Sequence, residues 1–188
     1  MLPRIEIALP AWIDGFVDFE RSYPTDEERM RLAIDLSREN IVRLTGGPFG
    51  AAVFEIESGR LVSVGVNLVV PLNNSALHGE MVAFMMAEAR LRTFSLSDKS
   101  LPAHELITSC DPCAMCLGAT LWAGVKRVVC GAGRDDAGEI MFDEGPVFPQ
   151  SYEYLTDRGV EVVHGVLREE AREVLRLYAH KSGTIYNG

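Results

Sequence analysis

The apolar positions of this chain fall first into a helical period, then into two short runs, and then into alternating helical and strand-like blocks. From Met1 to Pro24 no period is sustained: Pro3, Pro10 and Pro24 interrupt scattered aromatics such as Trp12 and Phe16, and the stretch reads as an irregular arm. Thr25, with Glu28 three residues on, has the form of a capping box. Met30, Ala33, Ile34, Ile41 and Leu44 then recur at helical spacing until Gly46 and Gly47 stop the pattern. Ala51–Ile56 and Leu61–Val66 are apolar runs joined by Ser58-Gly59, which predicts a hairpin. A polar turn around Asn73-Asn74-Ser75 leads to a second helix that begins near His78 and runs through the methionine-rich Met81–Ala89 stretch. Glu105–Ser109 reads as a strand, Cys113–Ala123 as a third helix opened by Pro112, and Arg127–Cys130 as a buried strand before an acidic, glycine-punctuated loop. Val160–Val163 makes a last strand. Arg168–Lys181 follows as a helix with Ala171, Val174, Leu175 and Tyr178 on one face.

A hairpin followed by alternating helices and strands implies parallel strands in the later half and an antiparallel pair at the start. The expected fold is therefore an α/β, three-layer α/β/α sandwich around a central mixed sheet of about five strands. No repeat or low-complexity linker interrupts it, and a chain of 188 residues can bury about two-thirds of its unfolded surface in one core, so residues 1–188 are expected to form a single domain. Apolar residues at 47% and charged residues at 24% fit a soluble globular protein. No apolar run approaches the roughly 20 residues of a membrane span, and the first residues lack the basic-then-apolar form of a secretory leader. A cytoplasmic protein without a membrane partner is expected. The net charge of −9, with no dense Lys/Arg stripe, would repel a phosphate backbone and argues against a nucleic-acid partner.

The candidate chemistry lies in His78-Gly79-Glu80 and Pro112-Cys113-Ala114-Met115-Cys116. Cys113 and Cys116, three apart at a helix start, put two thiols on one side, where the helix dipole favours thiolate. His78 offers a third ligand of a type zinc accepts. Three protein ligands leave the fourth position for water, as catalytic zinc sites do. Glu80 is placed to move that water's protons. Taken alone, a CxxC pair is also a redox motif or half of a structural zinc site, and Cys110 is evenly spaced with Cys113 and Cys116; yet Cys110 stands on the strand side of Pro112. Alone, His78 and Glu80 would be ordinary helix-start residues, and their combination with the thiols reverses that reading. Cys110 and Cys130, at the ends of apolar runs, read as small buried hydrophobes. His104, His164 and His180 have no partner pattern.

These H-x-E and P-C-x-x-C elements resemble the signature of the cytidine deaminase-like superfamily of zinc deaminases. The resemblance spans nearly the whole chain. It comes nearest to bacterial guanine deaminases through Gly46-Gly47-Pro48-Phe49-Gly50-Ala51-Ala52-Val53, Asn67, Phe142-Asp143-Glu144-Gly145-Pro146 and Ile185-Tyr186-Asn187. It implies one Zn2+ per chain on His78, Cys113 and Cys116, catalysis by Glu80 with Glu144 as a second carboxylate, and a nucleobase held by Asn67, Phe49, the Gly79 backbone and Tyr186. It also implies a domain-swapped homodimer in which the C-terminal helix and tail, 168–188, are exchanged. The implied reaction is hydrolysis of guanine to xanthine and ammonia. Two positions depart from the pattern: Gly79 stands where alanine is common, and Asp111 where glutamate usually precedes the proline. Related deaminases that act on transfer-RNA adenine, cytosine, a nucleoside or the aminotriazine ammeline share the zinc elements, and a zinc-stabilised module without catalysis is the reading from another class.

Overall fold

Residues 2–187, described here by a computed structural model, fold in the order α1 (Ile13–Phe16), α2 (Asp26–Val42), β1 (Gly50–Glu55), β2 (Leu61–Val66), α3 (Val69–Leu72), α4 (Gly79–Leu91), β3 (His104–Cys110), α5 (Ala114–Ala123), β4 (Arg127–Ala132), α6 (Arg134–Glu139), α7 (Pro149–Asp157), β5 (Glu161–Val163) and α8 (Arg168–His180). The capping box anticipated at Thr25 forms: Thr25 Oγ1 accepts from the Glu28 amide at 3.2 Å and the Thr25 amide donates back to Glu28 Oε2 at 3.3 Å.

The five strands form one mixed sheet in the order β2-β1-β3-β4-β5, with β1 antiparallel to both neighbours and β3, β4 and β5 parallel. Because β1 alone is reversed, the other four strands run the same way. The helices that follow β2 and β3 therefore begin near the same edge of the sheet, the edge where open α/β sheets build their sites. Every position of β1, β2 and β3 is buried, so β1 and β2 read as largely apolar runs without strict alternation, while β3 buries the polar His104, Glu105, Thr108 and Ser109 as well. On one face Ala52, Phe54, Ile107 and Val129 meet Ala33 and Ile34 of α2 and Val174 and Leu175 of α8. On the other, Ala51, Val53, Leu106 and Val128 meet Ala83 and Phe84 of α4 and Leu117 of α5. The expected three layers are thus present. No helix among the described residues is long and apolar enough to cross a membrane.

Four local expectations change. Helix α2 stops at Val42, and Leu44, expected on its apolar stripe, turns left-handed at φ 59° and lies 84% exposed as the chain swings toward the Gly46-Gly47 corner. Helix α5 begins at Ala114, with Cys113 extended at its N-cap, so Pro112 precedes the helix instead of opening it. The acidic loop after Cys130 contains α6. Helix α7 also arises where no helix was anticipated, and buries only Leu155, too little to make an apolar stripe. The arm before Thr25 is irregular as expected apart from the single turn α1, but it is packed: Ile13, Val17 and Tyr23 are buried in the core.

Far from the site edge, Glu105 at the start of β3 is wholly buried between two guanidinium groups, Arg29 of α2 and Arg127 of β4. Arg127 also grips Asp26 with contacts of 2.6 and 2.8 Å, and this hydrogen bonding holds the Asp26 carboxyl below its ordinary range. A carboxyl whose pKa falls on folding stabilises the fold above the unfolded value, and the contribution fades as pH drops through the folded value. Asp26→Asn is therefore expected to cost about 1–3 kcal/mol near neutral pH and far less near about pH 2, read as the difference between variant and native protein in denaturant melts. An equal deficit at both pH values would contradict this ion pair.

Candidate active site

Two helix starts converge at the carboxyl edge of the sheet. His78 is the N-cap of α4 and Cys113 the N-cap of α5, both with extended backbone, so each side chain stands at a helix mouth where backbone N–H groups and the dipole favour negative charge. Cys116 lies one turn into α5. His78 Nδ1 is 3.4 Å from Cys113 Sγ, and the ligand atoms of His78, Cys113 and Cys116 all lie within 4.8 Å of one another. Zinc–nitrogen and zinc–sulfur bonds at a tetrahedral angle separate such atoms by about 3.5 Å, so the donor set fits that ion in both chemistry and spacing. Hydrogen bonding from the Cys116 thiol, aided by His78 and the Cys116 amide, brings the Cys113 thiol down to about 4 against the effect of burial. Its bond to Cys113, with burial, pushes Cys116 well up, so the pair shares one proton that a divalent cation would displace.

Glu80, in the first turn of α4, is 6% exposed. Burial, and then the Cys113 thiolate, raise its carboxyl above the ordinary range, a suitable setting for a group that must both take and give protons. Glu144 comes from the loop after α6, and that loop is tied down: the Glu144 carbonyl accepts from the Ala114 amide at 2.9 Å, Asp143 Oδ1 accepts from the Gly145 amide at 2.8 Å, and Arg134 donates to the Gly145 and Val147 carbonyls. Burial first, then Cys113 and Glu80, push the Glu144 carboxyl up to about 8.

The pocket at this centre is walled by Phe49, His78, Glu80, Glu144, Phe142 and Tyr186, with Asp111, Asp143 and Asn187 at its margin. Phe49 meets Phe142 edge-on at 5.0 Å, and Phe142 meets Tyr186 at 4.9 Å. The tail bearing Tyr186 is pinned by Asn187, whose Oδ1 accepts from the Asp143 amide at 2.9 Å and whose Nδ2 donates to the Met141 carbonyl at 2.7 Å. Gly47 makes room for it: a Cβ there would stand 2.2 Å from the Tyr186 hydroxyl and 3.1 Å from Asn67 Oδ1. Asn67 Nδ2 and the Tyr186 hydroxyl are both buried and adjoin each other, close enough for the amide to act on the phenol oxygen, but neither makes a well-formed hydrogen bond. Unpaired buried donors cost about 1–3 kcal/mol each, which a heterocycle with acceptor atoms would relieve.

Of the residues singled out from sequence, His78, Glu80, Glu144, Phe49 and Tyr186 line this one pocket, and Cys113 and Cys116 adjoin it through His78, their ligand atoms all within 4.8 Å of one another. Asn67 lies behind the wall, fully buried. Gly79 is turned away from the pocket, with its absent Cβ 3.1 Å from the Phe49 carbonyl. Phe142, Asn187 and Asp111 were visible only as members of motifs. His164 has a partner after all: its Nδ1 donates to Asp111 Oδ1 at 2.8 Å, with Cys130 nearby. That contact is a direct hydrogen bond, closer than the about 3.3 Å expected between nitrogen and oxygen ligands of one zinc ion. A wider cleft between α5 and α7, lined by Leu117, Gly118, Leu121, Val147, Gln150 and Tyr154 among others, offers no carboxylate, imidazole or thiol and carries no such chemistry.

Two helix starts that bring one imidazole, two thiols and a buried carboxyl together at the carboxyl edge of a mixed sheet have the donor set and proton carrier of a zinc-dependent hydrolase. Residues 24–132 match the model of the cytidine and deoxycytidylate deaminase zinc-binding region, and the chain belongs to that family. The guanine deaminase from Nitrosomonas europaea is similar over 96% of this chain and 98% of its own, with a TM-score of 0.90 and 43% identity. NE0047 in complex with 2,6-diaminopurine shares 44% identity and a TM-score of 0.90 over 97% of this chain and 96% of its own. The guanine deaminase of Bacillus subtilis is 32% identical over 76% of this chain and 87% of its own.

Proposed function

We propose that this protein hydrolyses guanine to xanthine and ammonia. The observation that carries the reading is the buried Asn67 amide and Tyr186 hydroxyl, which adjoin each other without a well-formed hydrogen bond, beside a hydrolytic centre whose pocket Tyr186 lines. A purine with ring and oxo acceptors matches them, and the similar proteins named above include guanine deaminases and one that binds a 2-aminopurine. His78, Cys113 and Cys116 would hold the zinc ion, which when bound acts as a Lewis acid that makes water nucleophilic near neutral pH. Phe49 faces the ring and Glu144 pairs with its N–H-bearing edge, while Tyr186 completes the enclosure. Glu80 takes one proton from the water that attacks C2 and passes it to a ring nitrogen, then carries the second proton, from the new C2 hydroxyl, to the departing amine; water supplies the oxygen of xanthine and ammonia leaves. The expected ranking in an ammonia-release panel puts guanine far above adenine, cytosine, ammeline and nucleosides. Turnover of ammeline or cytosine without guanine would overturn the substrate and keep the deaminase; release from none, with zinc bound, would leave a zinc-stabilised module.

The proposal extends to the assembly and its setting. A homodimer that exchanges 168–188 keeps every contact of Tyr186 and Asn187 while supplying them from a second copy, at little energetic cost. Support comes from the left-handed backbone at Gly165 and Leu167 just before α8, and from Trp122, 85% exposed on α5, an apolar surface that a second copy would cover. Light scattering is expected to give twice the 20.7 kDa of one chain, and a monomer mass would contradict the exchange. Four free cysteines suit a reducing cytoplasm, where the reaction would serve purine breakdown.

A further inference from the structure

Asn40 is a polar residue on the apolar face of α2, fully buried, and not among the residues that line the pocket. Its side-chain amide nevertheless bridges the two segments that make the back of the pocket: Nδ2 donates to the Gly47 carbonyl at 2.9 Å and to the Asn67 carbonyl at 2.9 Å. The Asn67 amide in turn donates to the Phe49 carbonyl at 2.9 Å. Glycine at 46 is what allows this approach, because a Cβ there would lie 1.9 Å from the Asn67 carbonyl oxygen and 2.6 Å from Asn40 Nδ2.

The orientation of the Asn40 amide is set from the N-terminal arm. Trp12 Nε1, a group that can only donate, bonds Thr45 Oγ1 at 3.0 Å; the threonine oxygen therefore accepts, and its single proton goes to Asn40 Oδ1 at 2.8 Å. With Oδ1 so engaged, Nδ2 must face Gly47 and Asn67. Asn67 is then fixed at its carbonyl by Asn40, at its amide by Phe49, and at its side-chain oxygen by the Val69 amide at 3.2 Å, which leaves Nδ2, beside the Tyr186 hydroxyl, as the one donor without a well-formed bond.

We propose that Asn40 is a positioning residue for substrate binding, aiming Asn67 Nδ2 at an acceptor on the heterocycle, and that Trp12 in the arm holds Asn40 in the orientation that does so. This rests on the reading of Asn67 as the amide that holds guanine. A residue that acts only through Asn67 affects binding of the ring more than the chemistry at zinc and Glu80, and its effect vanishes when Asn67 has already lost its amide.

The test is steady-state guanine kinetics on zinc-loaded native protein, Asn67→Ala, Asn40→Ala, the double variant and Trp12→Phe, with zinc content measured for each. Asn67→Ala and Asn40→Ala are each expected to raise KM about tenfold with kcat within about threefold, and the double variant to be within about twofold of Asn67→Ala alone. Trp12→Phe keeps the packing but frees the Thr45 hydroxyl to turn to the Asn40 backbone carbonyl, 3.4 Å away, and is expected to raise KM about threefold. If Asn40→Ala does not fold, Trp12→Phe and its combination with Asn67→Ala carry the same comparison. Multiplying effects of Asn40→Ala and Asn67→Ala, or a native KM in Asn40→Ala and Trp12→Phe while Asn67→Ala is impaired, would overturn the positioning role alone. A native KM in Asn67→Ala would remove its premise and the proposal together, with guanine turnover intact; no ammonia from guanine with native protein marks failure of the substrate reading instead.

Discussion

Glu80→Gln is expected to keep about one zinc per chain and lose kcat by about 10³–10⁴-fold, the upper range for a group that transfers protons in more than one step. The substitution preserves shape in a site where the side chain is 6% exposed, so it removes proton transfer without opening a cavity. Glu80 is outside the His78, Cys113 and Cys116 ligand set, so metal content and turnover should separate. Burial and the neighbouring Cys113 thiolate raise the carboxyl, a direction that suits a group cycling between acid and base. Elemental analysis beside ammonia release reads both quantities. A variant within about tenfold of native turnover would remove Glu80 from the proton path.

Cys113→Ala is expected to abolish turnover by a different route, through the metal. It deletes one of three protein ligands and the thiol brought down to about 4, the one most readily available as thiolate. Bound zinc should fall from about one per chain to under about a tenth after dialysis, because two remaining ligands hold the ion far more weakly. Added zinc should raise the melting temperature of the native protein and leave that of the variant unmoved, since a ligand stabilises only a fold that binds it. Stoichiometric zinc in the variant would mean that the ion sits elsewhere in the chain.

The centre was legible in the sequence because a metal constrains residue type and spacing together. Cys113 and Cys116 are one helical turn apart, His78 and Glu80 bracket the start of another helix, and both readings hold in the folded chain. The sheet was legible because the buried strands β1, β2 and β4 read as short, largely apolar runs, whereas β3 carries His104, Glu105, Thr108 and Ser109 and has only Leu106 and Ile107 to mark it. Helices α6 and α7 were not, since each has too few buried positions to make a period. The back wall was harder still. Asn40 appears in sequence as a polar interruption of an apolar helix face, and nothing in its spacing points to Asn67, 27 residues away, or to Thr45 and Trp12. The Gly46-Gly47 pair was visible as a helix stop, whereas its other role, clearing space for the Asn67 carbonyl and the Tyr186 hydroxyl, belongs to tertiary packing.

The central claim is hydrolytic removal of the guanine amine at a zinc centre served by Glu80. Its most direct test is to incubate zinc-loaded protein with guanine in 18O-labelled water and to follow base and ammonia together. Xanthine carrying one label at C2 is expected, with one ammonia for each xanthine formed and neither product from Glu80→Gln over the same interval. Unchanged guanine and no ammonia from protein shown to contain its zinc would contradict it.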